Sequence, residues 1–306
     1  MEGEPERKLK PFPRKKHYRQ RAHVNPLNHN YYDTPDTPDD MDWSKLYPEV
    51  PPLEEVRKME NTSLIKKVEI LDIGCGFGGL LEVLSPMFTE SLILGLEIRA
   101  KVSEYVKQRI EALRSHHPDE FKNIACIRTN AMKHLPNYFK QNQLSKMFFL
   151  YPDPHFKKSK HKWRIISPVL LKHYSTFLSI GGRIYLCTDV HDLFEWMVKS
   201  FDGDECKGLF RKLSDDEMVE DKLYEHLGTA TQEGKKVGRN TGEYWRAIFE
   251  KIEDAVANTE KVEEIEDLGE EEGQEEEEGE EEEEKETVAQ DKEPEIKKVK
   301  VDDQQE

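Results

Sequence analysis

The chain has 306 residues, with 46 Lys and Arg against 63 Asp and Glu and a formal net charge of −17. Residues 253–306 hold 26 of the acidic and 6 of the basic groups, a net of −20, so the first 252 residues carry +3 and an acidic enzyme surface is excluded. No apolar run approaches the ~18 residues of a membrane span, and no apolar signal region opens the chain.

In chain order, residues 1–25 hold eight Lys and Arg against three Glu, with prolines and no apolar periodicity. A largely flexible basic arm is expected, and its charge suits a solvated tail, nuclear targeting or RNA phosphate contact alike. Residues 26–62 are rich in Asn, Asp and Pro, with Trp43, Leu46 and Tyr47 as isolated anchors that can seat on a domain surface. Residues 1–62 thus read as arm and partner-contacting segment, 63–252 as the globular domain, and 253–306 as a disordered acidic tail.

Within the domain, apolar runs at Val68 to Ile73, Leu92 to Leu96, Ile124 to Ile127, Met147 to Leu150 and Ile184 to Cys187 alternate with helical stretches. Val102, Val106, Ile110 and Leu113 share one helical face, and Pro118 stops that pattern. The alternation predicts an α/β fold, a parallel sheet covered by helices on both faces, with Trp245 to Phe249 as a late, antiparallel strand. Gly181-Gly182 is expected to punctuate the start of the fifth strand. Cys75, Cys126, Cys187 and Cys206 offer no C-x-x-C pair and fit buried thiols of a reducing compartment better than disulfides or zinc, so no metal is expected.

The first strand runs into Gly74-Cys75-Gly76-Phe77-Gly78-Gly79, and Glu97 closes the second. Glycines let backbone approach a ligand closely, and an acid at the end of the second strand accepts hydrogen bonds from ribose hydroxyls. The spacing of Gly74, Gly76 and Gly79 also satisfies the dinucleotide pattern of a nicotinamide-dependent oxidoreductase. Asp72 favours a different cofactor, because a carboxylate beside the loop repels pyrophosphate but suits the ammonium and sulfonium of S-adenosyl-L-methionine.

After the fourth strand comes Tyr151-Pro152-Asp153-Pro154, then a basic stretch interleaved with aromatics. The prolines fix their own φ and bias Tyr151 and Asp153 towards extended conformations, so Asp153 is held in place, either for chemistry or simply bonded to its own turn. Lys157, Lys158, Lys160, Lys162 and Arg164, with Lys235, Lys236 and Arg239, are candidate RNA phosphate contacts, and some of them are equally suited to solvating a loop.

These residues, with Leu71-Asp72-Ile73-Gly74-Cys75-Gly76, Leu94-Gly95-Leu96-Glu97-Ile98-Arg99 and Thr229-Ala230-Thr231-Gln232-Glu233-Gly234-Lys235-Lys236, resemble the eukaryotic tRNA (guanine-N7)-methyltransferase catalytic subunit. The likeness spans residues 14–252, including Tyr18 to His23 and Asp42 to Pro48, while the acidic tail is an extension beyond it. It implies a Rossmann-like class I methyltransferase fold. It implies S-adenosyl-L-methionine held by Gly74, Glu97, Arg99, Asn130, Ala131, Leu150, Thr231 and Glu233, with Asp153 in the catalytic position. It further implies a variable-loop guanine of tRNA as target and a noncatalytic WD-repeat β-propeller as partner. With neither a signal region nor a spanning run, no membrane is expected, and the location expected is the nucleus, with the cytoplasm as the alternative. The alternative is a noncatalytic RNA-binding protein that retains the fold.

Overall fold

The computed structural model describes residues 9–21, 24–28, 31–63, 65–240 and 242–253. The acidic tail, save Glu253, and the disorder expected of it lie outside these residues. Strands β1 (Val68–Ile73), β2 (Leu92–Glu97), β3 (Ile124–Arg128), β4 (Leu144–Leu150), β5 (Leu178–Thr188), β6 (Phe210–Lys212) and β7 (Trp245–Lys251) form one sheet in the order β3-β2-β1-β4-β5-β7-β6. Pairings among β1 to β5 are parallel, and β7 runs antiparallel to both β5 and β6. This is the Rossmann-like sheet expected of a class I methyltransferase.

Helices α1 (Leu53–Val56), α2 (Gly79–Met87), α3 (Ala100–His116), α4 (Ala131–Tyr138), α5 (Pro168–Phe177), α6 (His191–Ser200), α7 (Asp215–Glu220), α8 (Tyr224–Leu227) and α9 (Gln232–Asn240) surround it. Successive strand side chains point to opposite faces, which divides the core in two. Leu71, Met147, Phe149, Ile184 and Leu186 join one apolar cluster, while Ile70, Phe148, Leu150, Tyr185 and Cys187 join the other. Both faces are dry, which explains strands that read as continuous apolar runs.

The crossovers leave β1 in one direction and β4 in the other, so the carboxyl ends of β1 and β4 flank the switch point where ligands bind in such sheets. Gly181 and Gly182 sit inside β5, not ahead of it. The register steps from Leu144↔Leu178 to Lys146↔Arg183, and Gly181, at φ +76°, takes up the extra residues as a bulge.

The N-terminal residues lie on the domain. Tyr47 is fully buried and its hydroxyl donates to Ile93 O at 2.9 Å, while Arg114 reaches from α3 to Leu46 O and Ile124 O. Trp43 stacks on Phe139. The anchors expected from composition therefore hold this segment. In the basic arm, Lys10 pairs with Glu111, Phe12 stacks on His116 and the Tyr18 hydroxyl donates to Gln108, all on α3. Its described residues are thus laid against the helix, because Phe12 and Tyr18 give an otherwise polar segment two aromatic footholds.

Candidate active site at the switch point

The loop after β1 is shaped by backbone bonds to the neighbouring strand. Gly74 and Cys75 N–H groups both donate to Leu96 O, at 2.9 and 3.0 Å, and Gly74, Gly76 and Gly78 take φ of +74°, +53° and +75°. Glycine adopts such angles without steric cost. A Cβ on Gly74 would meet open space, whereas one on Gly79 would lie 2.5 Å from Ala230 O. The cradle is therefore open on its ligand side and closed by the late loop on the other.

Two buried carboxylates line it. Glu97 accepts from Arg99 three times: the backbone N–H and Nε reach Oε1 at 2.9 and 3.0 Å, and Nη2 reaches Oε2 at 2.8 Å. Arg99, although desolvated by burial, is held above its ordinary pKa by this bonding to Glu97. A carboxylate offers about four lone-pair positions, so room remains for ribose hydroxyls. Asp72 is 2% exposed, and its Oδ2 has no hydrogen-bond partner. Burial, then the neighbouring Glu97 charge, push its pKa up to about 8.

Asn130 is committed on both sides of its amide. Its Oδ1 caps α4 by accepting from Met132 N–H at 3.0 Å, and its Nδ2 donates to Pro26 O at 2.5 Å. It thus ties the N-terminal segment to the site, and what the position offers a ligand is backbone at the first turn of α4, beside Ala131, where N–H groups lack intrahelical acceptors. Leu150 is buried at the end of β4. In the late loop, Thr231 Oγ1 accepts from Gly234 N–H at 3.0 Å, and the exposed Glu233 pairs with Lys236 and adds to the negative field at Arg99.

The turn after β4 departs from expectation in one respect. Tyr151 precedes a proline yet has φ +53°, and His155, on the other side of Pro152-Asp153-Pro154, has φ +42°. Such angles cost roughly 1–3 kcal/mol each in a non-glycine residue. Tertiary bonds override the local bias: Tyr151 N–H donates to Cys187 O at 2.7 Å and its hydroxyl to Gly228 O at 2.9 Å. Asp153 Oδ1 accepts from His155 N–H at 3.3 Å, which makes the turn an Asx turn, and the aspartate side chain keeps 20% of its surface exposed.

Of the expected RNA contacts, Lys157, Lys158, Lys162, Lys235, Lys236 and Arg239 are exposed, and Lys160 lies over the Trp163 ring at 4.6 Å. Arg164 differs from the lysines in being 7% exposed: its Nε donates to Pro154 O at 2.9 Å and its guanidinium stacks over Trp196, so it braces the Asp153 turn. All four cysteines are buried free thiols. Among the described residues, no cluster of His, Cys, Asp and Glu is placed to hold a metal, and no helix is long and apolar enough to cross a membrane.

Residues 66–247 match a family described as methyltransferases. The mouse tRNA (guanine-N7)-methyltransferase (Mus musculus) is 53% identical over 251 residues, covering 80% of this chain and 92% of the mouse protein. The chain belongs to the tRNA (guanine-N7)-methyltransferase family. The human member (Homo sapiens) is 52% identical over 253 residues, covering 80% of this chain and 91% of its own. Among solved structures, the 16S rRNA methyltransferase KamB aligns at 15% identity with a TM-score of 0.41, covering 61% of this chain and 88% of that one.

The methyl donor is S-adenosyl-L-methionine, and the residues present fit it. The orphaned Asp72 Oδ2 lacks a cationic partner, the space above Gly74 admits a ligand against bare backbone, and Glu97 is aligned by Arg99. Asp72 is the cofactor-side residue missing from the set the resemblance implies, although its position two residues before Gly74 already signalled it.

Proposed function

We propose that this chain methylates N7 of the variable-loop guanine of tRNA, as the catalytic subunit of a heterodimer with a WD-repeat β-propeller. The tRNA guanine-N7 activity follows from family membership. The variable-loop target and the propeller partner rest on the family resemblance, and a nuclear location on the exposed Arg14, Lys16, Arg19 and Arg21 of the arm.

When bound, S-adenosyl-L-methionine supplies a methyl carbon on cationic sulfur, open to the N7 lone pair of guanine, which carries no proton. No general base is then required, and the work left to the protein is alignment and charge. Asp72 and Glu97 hold the cationic and ribose portions of the cofactor at one side of the switch point. Asp153, at the other side, accepts hydrogen bonds from guanine N1–H and N2–H, which selects guanine over adenine and places negative charge beside the ring as it becomes cationic. The exposed lysines of the 157–162 segment and of α9 neutralise RNA phosphates.

The observation that carries this reading is the placement of Asp153. Its turn leaves β4 directly beside the end of β1, and is locked by the bonds of Tyr151, His155 and Arg164. The test is to incubate the chain, with and without the propeller subunit, with labelled S-adenosyl-L-methionine and tRNA, and to map borohydride and aniline cleavage. Scission at the variable-loop guanine is expected, strongest with the propeller present. Label at another base or atom would overturn the assignment.

A further inference from the structure

The late loop touches both halves of the site. On the cofactor side, Ala230 O closes on Gly79 so tightly that a Cβ there would lie 2.5 Å away. On the substrate side, Gly228 O receives the Tyr151 hydroxyl at 2.9 Å. The joint is compact: a Cβ on Gly234 would sit 2.1 Å from Gly228 O and 3.2 Å from the Tyr151 hydroxyl oxygen. Burial, reinforced by Cys187, raises the phenol pKa, so the hydroxyl keeps its proton and remains a donor. Tyr151 is in turn bonded through its N–H to Cys187 O, and it stands two residues before Asp153 in a left-handed conformation that the joint sustains.

We infer that Tyr151 is a positioning residue that couples cofactor binding to presentation of Asp153, its hydroxyl tying the loop from Gly228 to Thr231 and the first turn of α9 packed on it to the backbone of the substrate turn. The inference rests on the function proposed above and adds a route between its two ligands. Cofactor that engages Thr231 and Glu233 fixes the loop. The loop fixes Gly228 O, and the hydroxyl transmits that position to the strained turn. Coupling of this kind is reciprocal, so tRNA seated on Asp153 tightens the cofactor by the same factor.

The test uses the full chain with its propeller subunit and S-adenosylhomocysteine as the cofactor probe, so that no turnover intervenes. Its Kd is measured by calorimetry with and without tRNA. In the wild type, tRNA is expected to tighten S-adenosylhomocysteine about fivefold or more. In Tyr151→Phe, which keeps the ring and loses only the hydroxyl, the ratio should fall to within about twofold, with each ligand alone still binding near its wild-type affinity. Gly234→Ala, which forces the joint apart from the other side, should abolish the coupling likewise. A wild-type ratio retained in Tyr151→Phe overturns the inference, as does a parallel loss of both affinities at unchanged ratio, which marks a merely structural tyrosine. A wild type that binds both ligands without coupling sinks the inference alone. One that binds neither sinks the proposed function with it.

Discussion

The two sides of the switch point are built differently. The cofactor side is set by the sheet: backbone bonds from Leu96 O shape the glycine loop, and its two carboxylates are buried. The substrate side is a strained turn held by three tethers from elsewhere in the fold, followed by exposed lysines. Substitutions on the first side should therefore disturb stability and cofactor affinity together. Those on the second should separate turnover, RNA affinity and stability from one another.

The largest effect expected on the cofactor side is that of Glu97→Ala. It leaves the partly buried Arg99 guanidinium without its carboxylate, and breaking such a pair costs about 3–5 kcal/mol. The melting temperature should fall and cofactor affinity should drop with it, read by calorimetry on the protein that remains folded. A variant that melts like the wild type and binds cofactor normally would break the contrast.

Asp72 sharpens the contrast through pH. Its folded-state pKa, about 8, lies above its ordinary value of 3.8, so between those values the folded chain holds a proton that the unfolded chain has lost. Stability of the cofactor-free protein should thus decline as pH rises from about 4 to 8. Affinity for the cationic cofactor should rise over the upper part of that window, by at most about tenfold per pH unit, as the carboxylate ionises. Asp72→Asn should flatten both profiles. Unaltered slopes in denaturation and calorimetry would remove Asp72 from the cofactor site.

On the substrate side, Arg164→Ala should cost about 2 kcal/mol, from the hydrogen bond and stacking it loses, and should slow turnover by loosening the Asp153 turn. The salt dependence of tRNA binding should stay the same. Alanine at Lys157, Lys158 or Lys162 should do the reverse, lowering the salt slope by about one per engaged lysine with little change in melting. If Arg164→Ala lowered the slope as the lysines do, its assignment as a brace would fail.

Much of the cofactor side was legible in the sequence because local chemistry determines it. On this side left-handed angles fall on glycines, each of the five apolar runs lies within one of the strands β1 to β5, and Val102, Val106, Ile110 and Leu113 mark the buried face of α3. Less of the substrate side was legible, because distant groups determine it. The proline after Tyr151 favours an extended residue, and only the acceptors at Gly228 and Cys187 reverse that preference. Arg164 reads as one more cation in a basic run until Trp196 and Pro154 O are seen to enclose it. The three residues of β6 are too few to show a period, and it pairs along only one edge.

The central claim is that the Asp153 carboxylate orients guanine for attack from N7. It is tested most directly by the single-turnover rate of 7-methylguanine formation in Asp153→Asn, with cofactor and tRNA both saturating. The amide presents a donor where guanine also presents donors, so the rate should fall on the order of 10²–10³-fold while the Kd for S-adenosylhomocysteine stays near its wild-type value. A rate equal to that of the wild type would contradict the account.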